Sequence, residues 1–417
     1  MQFILIGAGQ RGMIYANYAH AQGHAITAVA DIDAEKRQAA ARAFGIPEGR
    51  CYDSAEALLA EERLADAAII ATMDRDHHRH AMPALEKGYH LLLEKPISPV
   101  PEEVLAIEAA AIRHHRQVAI CHVLRYAPFF RELKRLLDSG VIGRVLTIQH
   151  SENIGNYHFA HSFVRGNWRR QDQASPLLMQ KSCHDMDLLV WLVGSDCRQI
   201  ASFGELTYFT AAHAPEGAAH RCADCPLKDT CRFSAYKSYL PARGSWPASV
   251  LTEDQSTEGL KEAIAKGAYG RCVYHCDNDV CDHQVTILQF DNGVTATFNL
   301  SAFTDRIART LKIMGEDGEI RASELTNAIE VIPFAANGVE RRQSMVIHPQ
   351  AAVSGHGGGD SQLMDDFIDL LSGKRNDTSS SITQSTQSHM MACAAEEARL
   401  HGSVVDVAAY RRRHTRE

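Results

Sequence analysis

Apolar residues in the first third of the chain fall into short unbroken runs separated by amphipathic stretches. Phe3-Ile4-Leu5-Ile6, Ala25 to Ala30, Ala67 to Ala71, Leu91-Leu92-Leu93 and Gln117 to Cys121 read as strands buried on both faces. Between them lie segments with helical spacing: Met13 to Gln22, Ala34 to Phe44, His77 to Lys87 closed by Gly88, and Pro101 to His114. The alternation predicts an α/β domain over residues 1–121, with a parallel sheet and right-handed crossovers.

Beyond residue 121 the period changes. Pro128 to Ser139 sets Phe129, Leu133, Leu136 and Leu137 at helical spacing, and Lys181 to Leu192 should be a helix with Leu188, Trp191 and Leu192 inward. Val145 to His150 reads as a strand. Gln284 to Phe290 and Val294 to Leu300 flank the turn Asp291-Asn292-Gly293, a hairpin signal, and Glu316-Asp317-Gly318 joins a second pair around Leu311 to Met314 and Glu319 to Ala322. Residues 122–417 therefore form an α+β domain with antiparallel strands, ending in helices over Ser361 to Ser372 and Thr383 to Leu400. The stretch Thr207 to Asp282 fits neither period and reads as a mostly irregular, cysteine-rich insertion. No internal repeat is evident.

Composition narrows the function classes. The chain has 417 residues, 45% hydrophobic and 23% charged, with a formal net charge of -8 and no basic run of the kind that binds nucleic acid. A small-molecule partner is expected. The amino terminus holds only a strand's length of apolar residues without a basic leader, and no stretch is long enough to span a bilayer, which leads to a cytoplasmic address. Eleven cysteines in such a chain should be reduced thiols or metal ligands.

The first strand runs into Gly7-Ala8-Gly9-Gln10-Arg11-Gly12 and then a helix. Glycines at this spacing allow a tight turn, close approach of backbone to a pyrophosphate, and close helix packing. The second strand ends in Asp31, placed to accept hydrogen bonds from ribose hydroxyls and to repel a ribose phosphate, so NAD is expected over NADP. Leu91-Leu92-Leu93 delivers Glu94 and Lys95 to the carboxyl end of the sheet, where open parallel sheets hold their ligands. A further segment, Asn156 to Arg169, reads as an irregular loop dense in His, Arg and aromatics; Arg165 and Trp168 could line a sugar pocket there.

Cys222-Ala223-Asp224-Cys225, with Cys231 beyond, has the spacing of a tetrahedral metal site, and zinc is the first expectation. The fourth ligand is taken as Cys272 from a group that includes Cys276, Cys281, His275 and His283. An iron–sulfur cluster and a plain set of reduced thiols are the alternatives.

Ala71-Thr72-Met73, His77, Ala84-Leu85-Glu86, Gly88, His90 and Glu94-Lys95-Pro96, following the glycine fingerprint at these spacings, resemble the glucose-fructose oxidoreductase and inositol dehydrogenase family, Gfo/Idh/MocA. The resemblance implies a Rossmann domain followed by an α+β domain with a large open, mostly antiparallel sheet, and often a homo-oligomer, here a dimer or tetramer. It also implies that Thr72, His77 and Glu94 belong to the cofactor site, that Lys95 is catalytic, and that His184, with Lys181 nearby, meets the substrate. The family's acidic partner of that histidine, four residues earlier, is Gln180 here. His356 and Asp360 resemble positions near the substrate pocket, although a capped glycine hinge fits them equally. The activity implied is NAD-dependent oxidation of a secondary alcohol on a sugar or cyclitol. A glycoside hydrolase using transient oxidation is the alternative, and a non-catalytic nucleotide sensor is a third possibility.

Overall fold

In a computed structural model of the chain, residues 1–337, 340, 342–350 and 356–415 are described. Ser354 and Gly355 of the glycine-rich run, and the side chain of His356, lie outside that description.

The amino-terminal domain builds a parallel sheet from β1 (Gln2–Ile6), β2 (Ala25–Ala30), β3 (Cys51–Tyr52), β4 (Ala67–Ile70), β5 (His90–Leu93) and β6 (Val118–Ile120), in the order β3-β2-β1-β4-β5-β6. Helices Gln10–Ala21, Ala34–Phe44, His77–Glu86 and Pro101–Arg113 link these strands. Every residue of β4 and the three leucines of β5 are buried, because helices cover both faces of the sheet. The strand order reverses between β1 and β4, and the crevice outside their carboxyl ends is where such sheets take ligands.

The second sheet contains β7 (Val145–Asn153), β8 (Cys197–Glu205), β9 (His283–Phe290), β10 (Thr295–Ser301), β11 (Ala308–Gly315), β12 (Gly318–Ser323), β13 (Ala328–Pro333), β14 (Met345–Ile347) and β15 (Val404–Asp406). Their order is β14-β13-β12-β11-β7-β10-β9-β8-β15. β7 and β10 run parallel, and the other described neighbours are antiparallel. Strict alternation of exposed and buried residues along β9 shows that one face is packed and the other open. The long helices Leu177–Val193 and Ile382–His401 cover the packed face.

Local structure departs from expectation at three places. The helix expected from Lys181 starts at Leu177, after Pro176, so Gln180 lies in its first turn. The segment expected to be irregular contains a short helix, Asn156–Phe159, continued by a π-helical turn over Ala160–Arg165. The insertion is also more ordered than its composition suggests. Helices Ala235–Tyr239 and Thr257–Lys266 pack Tyr239, Leu260 and Ile264 with Ala235, Ala248 and Cys222 into a small separate core.

Candidate functional site

The glycine loop joins β1 to its helix, and two of its glycines are required by the fold. A Cβ on Gly12 would lie 2.0 Å from the Gly7 carbonyl oxygen, and one on Gly7, at φ +91°, would lie 2.6 Å from that of Ala71. Gly9 differs. Its φ is -70° and a Cβ there would meet nothing within 4 Å, so the polypeptide itself does not need glycine at this point. The backbone at Gly9 is open to the close approach of a ligand, as the glycine loop of a dinucleotide-binding sheet requires. Asp31 follows β2, and its carboxylate accepts from the Ala8 N–H at 2.7 Å and the Asp33 N–H at 2.8 Å. The acid thus braces the glycine loop, and the Arg37 guanidinium is held on the Asp31 carbonyl at 2.7 Å.

Arg11 is directed across the crevice mouth. Its Nε donates to Glu94 at 2.8 Å and its Nη2 to Asp360 at 2.6 Å, and it also bonds the Tyr15 hydroxyl. Tyr15 donates to the same Glu94 oxygen at 2.9 Å. Burial alone would raise the Glu94 carboxyl, but Arg11 and then Lys95 outweigh it and hold it below the ordinary range. Glu94 is therefore an ionised brace that ties β5 to the glycine loop and, through Arg11, to the helix Gly359–Leu371. Tyr15 is missed by a motif search, and Asp360 enters only as a resemblance, because a contact across 349 residues has no local signature.

The Lys95-Pro96 peptide bond is cis. The Lys95 N–H donates to Glu94 at 2.9 Å, and its ammonium donates to the Gln180 carbonyl at 3.1 Å. Gln180 is one turn before His184 on the same helix, so the lysine of one domain and the histidine of the other converge. The Gln180 side chain does not replace a base: its Nε2 donates to the Trp168 carbonyl at 2.9 Å. His184 is buried and its ring lies edge-on to His122, 5.6 Å between centroids. His122 in turn lies 5.4 Å from His389, whose Nε2 accepts from Ile97 N–H at 2.9 Å while its Nδ1 meets the Ser385 carbonyl at 2.8 Å. Burial, then the neighbouring His122, pushes His389 down to about 3, and burial pushes His122 well below its ordinary value. His77 is fully buried, with ring nitrogens 2.6 Å from the Pro96 carbonyl and 3.2 Å from that of Thr72. It links the loops after β4 and β5 and leaves the Thr72 hydroxyl to His80, at 3.1 Å.

Behind His184, Asp187 takes two bonds from Arg125, at 2.6 and 2.7 Å, and Asp185 meets Arg309 at 2.7 Å and His150 at 2.6 Å. Lys181 was expected to meet the substrate, but its ammonium is 3.0 Å from the buried carboxylate of Glu152, which Arg309 pairs at the same distance. An unpaired buried carboxylate is costly, and this pairing keeps the lysine on the protein. Arg165 also departs from expectation: it is 1% exposed, with Nε on the Arg271 carbonyl at 2.7 Å and Nη2 on that of Phe233 at 2.7 Å. It holds the insertion instead of facing a crevice. Trp168 remains 39% exposed.

Cys222, Cys225, Cys231 and Cys272 line one pocket. Among the described residues, however, no group of three or more His, Cys, Asp or Glu is arranged to hold a single metal ion, so the zinc expectation lacks its geometry.

A parallel sheet with an open glycine cradle at its switch point, joined to a sheet domain that brings a histidine helix to Lys95, defines a two-domain NAD-binding oxidoreductase. Residues 1–122 match the family model described as "Oxidoreductase family, NAD-binding Rossmann fold", and residues 134–407 the one described as "Oxidoreductase family, C-terminal alpha/beta domain". The chain belongs to the Gfo/Idh/MocA family. It is 26% identical to "Putative oxidoreductase YteT" of Bacillus subtilis (strain 168) over 317 residues, 73% of this chain and 72% of that one. It is 29% identical to "Inositol 2-dehydrogenase 4" of Saccharopolyspora erythraea over 206 residues, 47% of this chain and only 55% of that one. A levoglucosan dehydrogenase in complex with NADH and levoglucosan shares the fold, with a TM-score of 0.72, 19% identity, and 98% of this chain and 99% of that chain covered. No described helix is long and apolar enough to cross a membrane.

Proposed function

We propose that this oxidoreductase removes a hydride from a ring secondary alcohol of a sugar, sugar derivative or cyclitol and passes it to NAD. The observation that carries the reading is the convergence of Lys95, braced through its N–H by Glu94, with the helix that bears His184. NAD, when bound, supplies the hydride acceptor. Gly7, Gly9, Gln10, Arg11 and Gly12 form its pyrophosphate cradle, Asp31 selects the unphosphorylated ribose, and Thr72 and His77 shape the neighbouring loop. The Lys95 ammonium polarises the alcohol oxygen and stabilises the negative charge that develops there, while His184 takes the proton. Because Gln180 has no proton to exchange, His184 works without the family's acidic partner. Trp168 is the exposed aromatic beside this helix and is offered as a wall for a sugar ring.

The test is a panel of sugars, cyclitols and aryl glycosides followed for both NADH and aglycone. Accumulation of NADH with one oxidised product supports the dehydrogenase. Aglycone release without net NADH assigns the chain to the elimination route instead, and NAD binding without turnover of any member would sink both.

We further infer that the chain self-associates through the open face of the second sheet. Phe203 (59% exposed) pairs across strands with Val285 (39%), and Ile287 (51%) is the next outward position on β9. Such a contiguous apolar patch on a sheet face suits a second copy.

A further inference from the structure

A cleft of about 310 Å³ opens between the π-helical turn Ala160–Arg165 and the insertion helix Ala235–Tyr239. Three cations line it, Arg165, Arg232 and Lys237, and among the described residues no carboxylate does. The chain as a whole carries a net charge of -8, so this cationic lining stands against the charge of the rest of the molecule. Two of the cations are held in place without an acid. Arg165 is 1% exposed and donates to the carbonyls of Arg271 and Phe233 and to the Cys222 sulfur, so its charge is left uncancelled beneath the cleft. The Arg232 guanidinium lies 4.5 Å from the centre of the Phe233 ring and 5.4 Å from that of Tyr208, an arrangement that orients the cation and leaves N–H groups for another acceptor. One wall is aromatic. His161 stacks on Tyr269 with ring centres 4.7 Å apart and hydrogen-bonds the Tyr239 hydroxyl at 3.1 Å, while Trp246 packs edge-on to His161 and Tyr157. Burial first, then Arg165, pushes His161 down to about 4, so this ring is neutral and serves as a surface. Ring faces beside uncancelled cations suit a group that combines a sugar ring with a negative charge.

We propose that this cleft binds the carboxylate or phosphate of an acidic sugar unit in the substrate, with Arg232 and Lys237 meeting the anion and Arg165 adding its charge from below. The saccharide part rests on the proposed dehydrogenase function, whereas the charge part rests on the cleft alone. A volume of about 310 Å³ is at the small end of ligand pockets and has room for a monosaccharide with one charged substituent. The cleft is tied to the reaction centre by a short stretch of chain. Arg165 is three residues before Trp168, at most about 11 Å of extended backbone. The Trp168 carbonyl in turn accepts from the Gln180 side chain, and the Gln180 carbonyl holds the Lys95 ammonium. An acidic unit seated in the cleft anchors the substrate whose alcohol is oxidised, and neutral sugars lack that anchor.

The test is direct binding to the full chain loaded with NAD, by calorimetry or ligand-observed NMR, with glucose, glucuronate, glucose 6-phosphate and inorganic phosphate as probes. Glucuronate or glucose 6-phosphate should bind about tenfold or more tighter than glucose and tighter than inorganic phosphate. Arg232→Ser combined with Lys237→Ser should erase the preference while NAD binding persists. Lys266→Ser, which removes a charge elsewhere in the insertion where Glu262 already pairs it, should retain the preference. Equal binding of charged and neutral sugars, or binding of none of the probes, overturns the proposal. So does a preference that survives in the double variant, because the anion then sits elsewhere, and so does inorganic phosphate bound as tightly as glucose 6-phosphate, which makes the cleft an ion site without a sugar. The wild-type comparison decides the matter even if the double variant does not fold. NADH formation is a separate readout: a charged sugar that binds as expected but yields no NADH upholds the cleft and counts against the dehydrogenase.

Discussion

In the proposed reaction Lys95 contributes chemistry more than fold, since its ammonium donates to the backbone carbonyl of Gln180. Lys95→Ala should lower kcat by a factor of about 100 to 1,000 while the affinity for NAD measured by titration stays unchanged. Undiminished turnover would move the active site elsewhere. Asp31→Ser should narrow the preference for NAD over NADP. Because Asp31 also accepts from the Ala8 N–H, this variant should weaken NAD binding as well, which separate titrations of the two cofactors would register. His389 makes a different prediction. It is held neutral, with a folded value near 3 against an ordinary 6.5, through burial first and then His122; Lys95 acts in the same direction and Asp187 against it. Between those values the unfolded chain binds a proton that the folded chain refuses. Stability therefore falls as pH drops through that window, by up to about 1.4 kcal/mol per pH unit for this one group. Thermal melts between pH 7 and 5 should show the decline, and His389→Gln should make it shallower. An equal slope in the variant would remove His389 as the cause.

At the scale of elements, the glycine loop separates what the fold needs from what the cofactor needs. Gly9→Ala should leave the melting temperature nearly unchanged, since its Cβ has open space, but should raise the Kd for NAD by about tenfold or more, roughly 1.4 kcal/mol. Gly12→Ala forces a Cβ against the Gly7 carbonyl and should destabilise the domain itself. If Gly9→Ala bound NAD as well as the native chain, the cradle assignment would fail. The helix Leu177–Val193 illustrates why boundaries are harder to read than existence. Its apolar period is plain from Leu188 onward, whereas its first turn, with Leu177, Leu178, Met179 and Gln180, is buried almost all round and shows no period.

For the whole molecule, the two domains are joined by charge and hydrogen bonding as well as by apolar packing. The Arg11 guanidinium donates to Asp360 at 2.6 Å, and the Lys95 ammonium donates to the Gln180 carbonyl at 3.1 Å. The open face of the second sheet is the surface left over. Ile287→Glu should shift the chain toward monomer in light scattering, with the far-ultraviolet spectrum unchanged. A variant with the native mass would place any self-association on another face.

The unbroken apolar runs and the glycine spacing were enough to specify the parallel sheet and an NAD-binding fold, because strand burial and tight turns are each written within a few residues. The antiparallel pairing around Asp291-Asn292-Gly293 was legible for the same reason, with Gly293 at φ +86° as such a turn needs. What a long side chain does with its charge was decided only in three dimensions. Arg165 and Lys181 look alike in sequence to substrate-binding cations, yet one is committed to carbonyls and a thiol in the insertion and the other to Glu152. Tyr15, Glu94, Arg11 and Asp360 become one cluster only when β5, the glycine loop and a helix near the carboxyl terminus are brought together. Burial is the physical reason: a charged group removed from water must find a partner, and the chain position of that partner is set by packing, not by spacing.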